Sequence, residues 1–444
     1  MTNPSRDRRA NLDERSINHV VVLGANGTMG FGSGGLFTQA VPRVTFLARS
    51  SDKAVEGVAA AVKQVRSSSL ASRTDVGDYD NDLERTLADA DLVFEALAED
   101  MEIKREMFER VDAARRPDSI VATVTSGISI NALCEGRSDS FRKNFLGLHF
   151  FNPPNVIVGT ELIAGRDTDP AVVDFVEAFA ELRLGREMVR THDTAGFAGN
   201  RVGFKVLNEV AQLAEKYGVG AMERIIGPYT GRALTPLATI DLVGWDVHKA
   251  IVDNVHALTN DEAHDTLRMP AYMDALVAKG VLGDKSGRGF FAKDGGQRVV
   301  LDPATGDYAP LTPVDRDDLG YVDDVARLYR QGRYKEGVAA FLAAPGEAAT
   351  IARRVVAGYI SYSFERVGEV AESINDIDRI MAAGFNWAPP SVLVDAMGAA
   401  AAVRLIESAE LTVPAVLAEA ARAGRTAPFF VHPTMNPGKF FVAA

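Results

Sequence analysis

The sequence predicts an α/β domain on a parallel sheet, followed by two all-α domains. Three observations carry this. Short β-rich runs alternate with helical stretches through the first half. A glycine-rich turn follows the first of those runs directly. The second half is helical, and one of its stretches is echoed near the C-terminus.

At 444 residues the chain exceeds one ordinary core, so several domains are expected. With 47% hydrophobic and 24% charged residues, the composition is that of a globular protein. A net charge of −12 argues against general nucleic-acid or anionic-membrane binding, and an anionic substrate needs a local basic patch. The single cysteine, Cys134, allows no internal disulfide and no metal cluster, which fits a cytoplasmic location. "INHVVVLGANG" is too short and too soon broken for a signal core, and no stretch is long and apolar enough to span a bilayer. Residues 1–16 read as a polar, mobile tail.

The elements follow in order. "HVVVLG" is the first strand, and "GANGTMGFGSGG" is a turn spelling Gly24, Gly27 and Gly30. Glycines there let the backbone turn sharply and approach a pyrophosphate at a helix N-terminus, which is a Rossmann-type dinucleotide-binding signature. Met29 lies in the same turn and is counted with the cofactor residues. "LFTQAV" is the helical part. Gly32, Gly34 and Gly35 cost helix stability, so this helix is expected to start late or to pack unusually close. "RVTFLAR" is the second strand, "DKAVEGVAAAVKQV" a helix, and "ADLVFEAL" and "SIVATVTS" are buried-type strands. The second strand ends in Ala48-Arg49-Ser50. An acid there would bond the ribose of NAD, whereas arginine accommodates the 2′-phosphate of NADP. Arg49 and Ser50 therefore tilt the expectation slightly toward NADP.

"TSGISI", "GLHFFNPP", "TAGFAGNRV", "TIDLVGWD" and "GDKSGRGFF" occur in this order, with "VFEALAEDMEIKREMF" before them. Together they resemble the L-3-hydroxyacyl-CoA dehydrogenase family. The likeness is greatest to the dehydrogenase part of bacterial proteins that fuse this activity to an enoyl-CoA hydratase. It is good over residues 18–295 and weaker beyond.

The resemblance implies NAD(P)-dependent interconversion of a 3-hydroxyacyl thioester, with CoA as the expected carrier, and the 3-ketoacyl thioester. It implies His149 as general base and Glu161 as its orienting carboxylate. The residues support this independently. Histidine suits proton removal near neutrality, a carboxylate on its other ring nitrogen fixes the tautomer, and Pro153 and Pro154 turn "VIVGTELI" back beside the histidine strand. By resemblance Ser126 and Asn200 bond the reacting oxygen or a nearby carbonyl, while Glu99 and Lys104 lie on the nicotinamide side. In isolation these four read as a turn serine, a helix-terminal asparagine and a solvated helix start.

Two departures stand out. The residue two before Ser126 is commonly asparagine in the family and is Val124 here. The stretch "VRSSSLASRTDVGDYDNDLERTL" leaves room for a short helix and loops where the family carries a charged helical arm that helps hold CoA. Lys53, Lys63 and Arg66 could still meet phosphates.

In the second half, "MERIIGPYTGRALTPLATIDLVG" is echoed by "IDRIMAAGFNWAPPSVLVDAMG", with Gly244 and Gly398 each after an Asp-led run. The expected organisation is a tail over 1–16, the dinucleotide-binding domain over 17–190 and a first helical domain over 191–295. A connector over 296–345 and a second helical domain, a degenerate repeat, over 346–444 complete it. The family's helical domain pairs between subunits. A tandem copy can cover that apolar face within one chain, which allows a monomer and leaves larger assemblies open. A separate enoyl-CoA hydratase is a conceivable partner. Two alternatives stand beside the leading reading: a dehydrogenase of another 3-hydroxy acid or carrier-bound acyl group, and a cofactor-binding homologue without catalysis.

Overall fold

The computed structural model describes residues 15–312, 314, 316–432 and 435–441. The mobile-tail reading of residues 1–14 lies outside the described residues. Two compact units divide the chain between Phe197 and Ala198.

The first unit runs β1 (His19–Leu23), α1 (Thr28–Phe37), β2 (Arg43–Ala48), α2 (Ser51–Val65), β3 (Thr74–Asp78) and β4 (Leu92–Glu95). It continues through α3 (Met101–Ala114), β5 (Ile120–Thr123), β6 (Phe145–Phe150), β7 (Gly159–Ala164), α4 (Pro170–Leu184) and β8 (Glu187–Thr191). One eight-stranded sheet has the order β3-β2-β1-β4-β5-β6-β7-β8. Only β6 and β7 pair antiparallel; the other neighbours are parallel. The order 3-2-1-4-5-6 is that of the doubly wound dinucleotide fold, whose ligand crevice opens at the carboxyl ends of β1 and β4, where the winding reverses. Strands buried on both faces explain the unbroken apolar runs. Val20, Val22, Phe46 and Phe94 join one core layer, while Val21, Leu23, Leu47 and Val93 join the other.

Two expectations need correction. Helix α1 does not start late: it begins at Thr28, includes the glycines and ends at Phe37, so "TQAV" is outside it. Close packing explains the glycines, since a Cβ on Gly34 would lie 2.5 Å from Phe46 Cζ. The segment after α2 holds more than a short helix and loops. It also carries β3, an edge strand of sequence TDVGD.

The second unit begins with α5 (Gly199–Tyr217), α6 (Val219–Ile225), α7 (Pro236–Val243) and α8 (Trp245–Leu258). A small antiparallel sheet follows, with β9 (Phe291–Asp294), β10 (Gln297–Leu301) and β11 (Tyr308–Pro310). Residues 296–345, read as a connector, hold β10, β11, α9 (Gly320–Arg330) and α10 (Tyr334–Ala343). Then come α11 (Glu347–Glu365), α12 (Ile374–Ala383), α13 (Pro390–Met397) and α14 (Ala399–Ser408).

One polar arrangement occurs twice in this unit. Asp241 on α7 accepts the amides of Phe290 and Phe291 at 2.9 and 3.0 Å. Asp395 on α13 accepts those of Phe429 and Phe430 at 2.8 and 2.9 Å. Gly244 (φ 98°) and Gly398 (φ 83°) join the flanking helices at matching places, in backbone conformations that favour glycine. A buried charge cluster ties α5 to α11: Arg201 Nε donates to Tyr362 Oη at 2.5 Å, and its Nη2 donates to Asp261 at 2.6 Å and Glu369 at 2.9 Å.

Candidate active site

The carboxyl edge of the first unit's sheet collects most of the residues singled out from the sequence. Gly24 follows β1, Arg49 follows β2, Glu99 lies in the loop after β4, Ser126 follows β5, and His149 is the last but one residue of β6. Strand β7 starts at the same edge because it runs antiparallel to β6, and its register sets Glu161 directly opposite His149.

That pairing decides the chemistry. Glu161 Oε2 lies 2.8 Å from His149 Nδ1, with His149 4% and Glu161 0% exposed. A carboxylate on Nδ1 places the ring proton there and leaves the Nε2 lone pair able to accept a proton. Phe151 and Phe197 flank the imidazole at ring distances of 4.9 and 5.6 Å. The turn after His149 is held from outside the motif. Arg186 Nη1 donates to the carbonyls of Pro154 and Ile157 at 2.6 and 3.1 Å, and Gln64 Nε2 donates to Asn155 Oδ1 at 2.8 Å.

The glycine turn allows close backbone packing. Gly24 has φ 77°, and a Cβ there would meet the Ala96 carbonyl at 2.2 Å. A Cβ on Gly30 would meet the Gly24 carbonyl at 2.1 Å. Helix α1 starts after Gly27 without a side-chain cap, so no cap side chain takes its first amides. Tyr79, absent from the sequence reading, supports the turn. Its hydroxyl accepts from the Gly24 amide at 2.8 Å and donates to the Leu47 carbonyl at 3.4 Å. Burial pushes that phenol up to about 12.

At the end of β2, Arg49 is exposed and pairs with no carboxylate among the described residues. Ser50 caps α2, accepting from the Lys53 amide. One acid does stand nearby: Asp78 of β3 is the register partner of Ala48. The sequence could not reveal this without β3. Its carboxylate is engaged by Ser51 and Asn81 and the Asp80 amide, and the Asn81 hydrogen bonds hold it below the usual carboxylate range.

Glu99 and Ser126 meet directly. Glu99 Oε1 accepts the Ser126 amide at 2.7 Å and the Thr125 hydroxyl at 2.6 Å. Lys104 is fully buried, 2.7 Å from Glu95 and 3.5 Å from Glu99. Val124 packs in the apolar core rather than at a polar contact. Asp193, also missed, anchors the loop after Ser126 by accepting from Ser129 Oγ, the amides of Ile130 and Asn131, and Asn131 Nδ2. Asn200 belongs to the second unit, where it is buried in the first turn of α5.

Two family models match the chain: 3-hydroxyacyl-CoA dehydrogenase, NAD binding domain, over residues 19–194, and 3-hydroxyacyl-CoA dehydrogenase, C-terminal domain, over 196–293. A probable 3-hydroxyacyl-CoA dehydrogenase of Bacillus subtilis is 33% identical over 347 residues, covering 77% of this chain and 43% of that protein. A probable 3-hydroxyacyl-CoA dehydrogenase of Caenorhabditis elegans is 30% identical over 294 residues, covering 62% of this chain and 92% of that protein. The crystal structure of 3-hydroxybutyryl-CoA dehydrogenase from Escherichia coli shares the fold. Its TM-score is 0.68 at 23% identity, covering 92% of this chain and 99% of that one. The chain thus spans less than half of the Bacillus relative and nearly all of the Caenorhabditis one.

Proposed function

Because the chain belongs to the 3-hydroxyacyl-CoA dehydrogenase family, we propose that it interconverts 3-hydroxyacyl and 3-ketoacyl thioesters with a nicotinamide coenzyme. The observation that carries this reading is the 2.8 Å pair of His149 and Glu161 at the carboxyl edge of the sheet. In the oxidative direction His149 Nε2 takes the hydroxyl proton, and Glu161 stabilises the imidazolium that forms. The bound coenzyme supplies the hydride acceptor at its nicotinamide ring. Ser126 and Asn200 hold the reacting oxygen or thioester carbonyl. Gly24, Gly27 and Gly30 hold the pyrophosphate, Met29 belongs with the coenzyme-binding residues of the same turn, and Glu99 lies toward the nicotinamide.

Arg49, exposed and without a carboxylate partner among the described residues, tilts the coenzyme toward NADP, while the family's habit favours NAD. The twice-used Asp–Phe–Phe arrangement supports reading residues 346–444 as a second, degenerate helical copy that serves structure. A monomer covering its own apolar face is then sufficient, and a separate enoyl-CoA hydratase is the natural functional partner. Among the described residues no helix is long and apolar enough to cross a membrane, and no group of side chains could hold a metal.

A second reading takes another carrier or a free 3-hydroxy acid. It is favoured by the short link of residues 66–73 between α2 and β3, where the family's CoA-holding arm would lie. Assaying acetoacetyl-CoA and free acetoacetate with NADH and NADPH separates the two. Turnover of the thioester supports the first, turnover of the free acid alone supports the second, and coenzyme binding without any turnover points to a non-catalytic homologue.

A further inference from the structure

Glu95 ends β4 with its side chain wholly inside the protein, and every contact of its carboxylate faces inward. Its Oε1 accepts from Lys104 Nζ at 2.7 Å and from the Leu97 amide at 2.6 Å, and its Oε2 accepts the Thr123 hydroxyl at 2.5 Å. Lys104 is equally buried, and its ammonium also lies 3.5 Å from Glu99 Oε2. The other oxygen of Glu99 takes the Thr125 hydroxyl and the Ser126 amide. Two carboxylates thus share one buried ammonium, one inside the sheet and one at its edge. The segment carrying Glu95 also touches the glycine turn, because the Ala96 carbonyl fills the space that a Cβ on Gly24 would need.

We propose that Glu95 is a positioning residue for the reaction, holding Glu99 through Lys104 and the backbone of Ser126 through Glu99. Resting on the reading of Ser126 as a substrate-binding residue, it moves Lys104 from the coenzyme side of the site to its internal frame. A buried ion pair adds little net stability compared with well-packed apolar residues, so its value here lies in placement. The ammonium holds one oxygen of Glu99 while the other is turned toward the serine loop. The three hydrogen bonds on Glu95 fix where that ammonium stands. Thr123 lies in the strand that leads into Ser126, so the anchor grips the loop from below as well as from its edge.

The test compares wild type with the paired substitution Glu95→Gln with Lys104→Met, which removes both buried charges at similar volume. If the buried pair fails to fold, Glu99→Gln, at the partly exposed end of the chain of contacts, serves for the Ser126 exchange and acyl kinetics only, not for coenzyme Kd. Coenzyme Kd, kcat and KM for acetoacetyl-CoA, and hydrogen–deuterium exchange of the Ser126 amide are measured. The expected result is unchanged coenzyme Kd, kcat/KM lower on the order of 10- to 100-fold from misplacement of a substrate contact, and faster exchange at Ser126. Ser126→Ala should then add little further loss in either background, because both changes remove one shared interaction. Weakened coenzyme binding with intact acyl kinetics would make Lys104 a coenzyme contact and overturn the proposal. So would unchanged exchange at Ser126, or losses that multiply independently. A wild type that does not turn over acyl thioesters defeats the functional reading alone, and the Ser126 exchange still decides whether the anchor exists.

Discussion

His149 and Glu161 face each other across the antiparallel pair β6 and β7, and the carboxylate meets Nδ1 at 2.8 Å. The pair is buried, so solvent holds neither partner. His149→Ala should leave coenzyme affinity intact and lower turnover on the order of 10²- to 10⁴-fold, the loss expected for a missing general base. Glu161→Gln should give a smaller loss, because the base remains while its tautomer and charge support are weakened. Steady-state kinetics beside a coenzyme titration check both. Near-wild-type turnover of folded His149→Ala would remove it from the mechanism.

The glycines of the turn should differ in kind. A Cβ on Gly27 would lie 3.4 Å from the Gly24 carbonyl oxygen, an ordinary contact, whereas one on Gly24 would clash at 2.2 Å with φ at 77°. Gly27→Ala should keep the fold and weaken coenzyme binding by standing in the phosphate's approach. Gly24→Ala should lower the melting temperature as well. Thermal melts with and without coenzyme distinguish them, and equal affinity of Gly27→Ala and wild type would put the pyrophosphate elsewhere.

Coenzyme choice should follow Arg49. Ala48→Asp with Arg49→Ala removes a cation suited to the 2′-phosphate and introduces the acid that bonds an unmodified ribose. One charge-assisted contact is worth roughly 1.5–3 kcal/mol, so the NADP-to-NAD affinity ratio should fall about ten- to a hundredfold. Titrating both oxidised coenzymes at one salt concentration gives the ratio. A wild type that prefers NAD, with a ratio the variant does not move, makes Arg49 a surface residue and leaves Asp78 as the acid that serves the ribose.

Stability should depend on pH through a buried carboxyl of the second unit. Burial pushes Asp378 up from 3.8 to about 7, and its Oδ2 has no hydrogen-bond partner. A folded-state value above the unfolded one means the folded form binds the proton more tightly. This contribution is fully present below about pH 4 and is lost as pH rises toward 7. Asp378→Asn keeps an acceptor for the Ser391 amide and removes the charge. It should raise the melting temperature at pH 8, by a free energy on the order of a few kcal/mol, with the gain shrinking toward pH 4. A constant difference across that range would tie the effect to packing instead of ionisation.

The sheet and the histidine pair were legible because both rest on local rules. Unbroken β-branched runs mark strands covered on both faces, and "HFFNPP" before "VIVGTELI" marks a turn that returns the chain. Strand β3 was not legible, since Asp and Gly are poor strand residues and only its place at the sheet edge allows them. Glu95 was hidden inside "DLVFEAL", where an apolar run gives no hint that one acid carries a buried ammonium supplied nine residues on. Tyr79 and Asp193 act through contacts formed only once the sheet has closed. The second Asp–Phe–Phe arrangement was missed because Phe429 and Phe430 lack the Lys-Ser-Gly-Arg-Gly lead that precedes Phe290.

The most direct test is the acetoacetyl-CoA-dependent loss of reduced-nicotinamide absorbance, measured for wild type and His149→Ala at saturating coenzyme. Wild type should oxidise NADPH or NADH in a thioester-dependent way, and the rate should fall on the order of 10²-fold or more in the variant. Equal rates in the two proteins, or no thioester-dependent oxidation by wild type with either coenzyme, would contradict this.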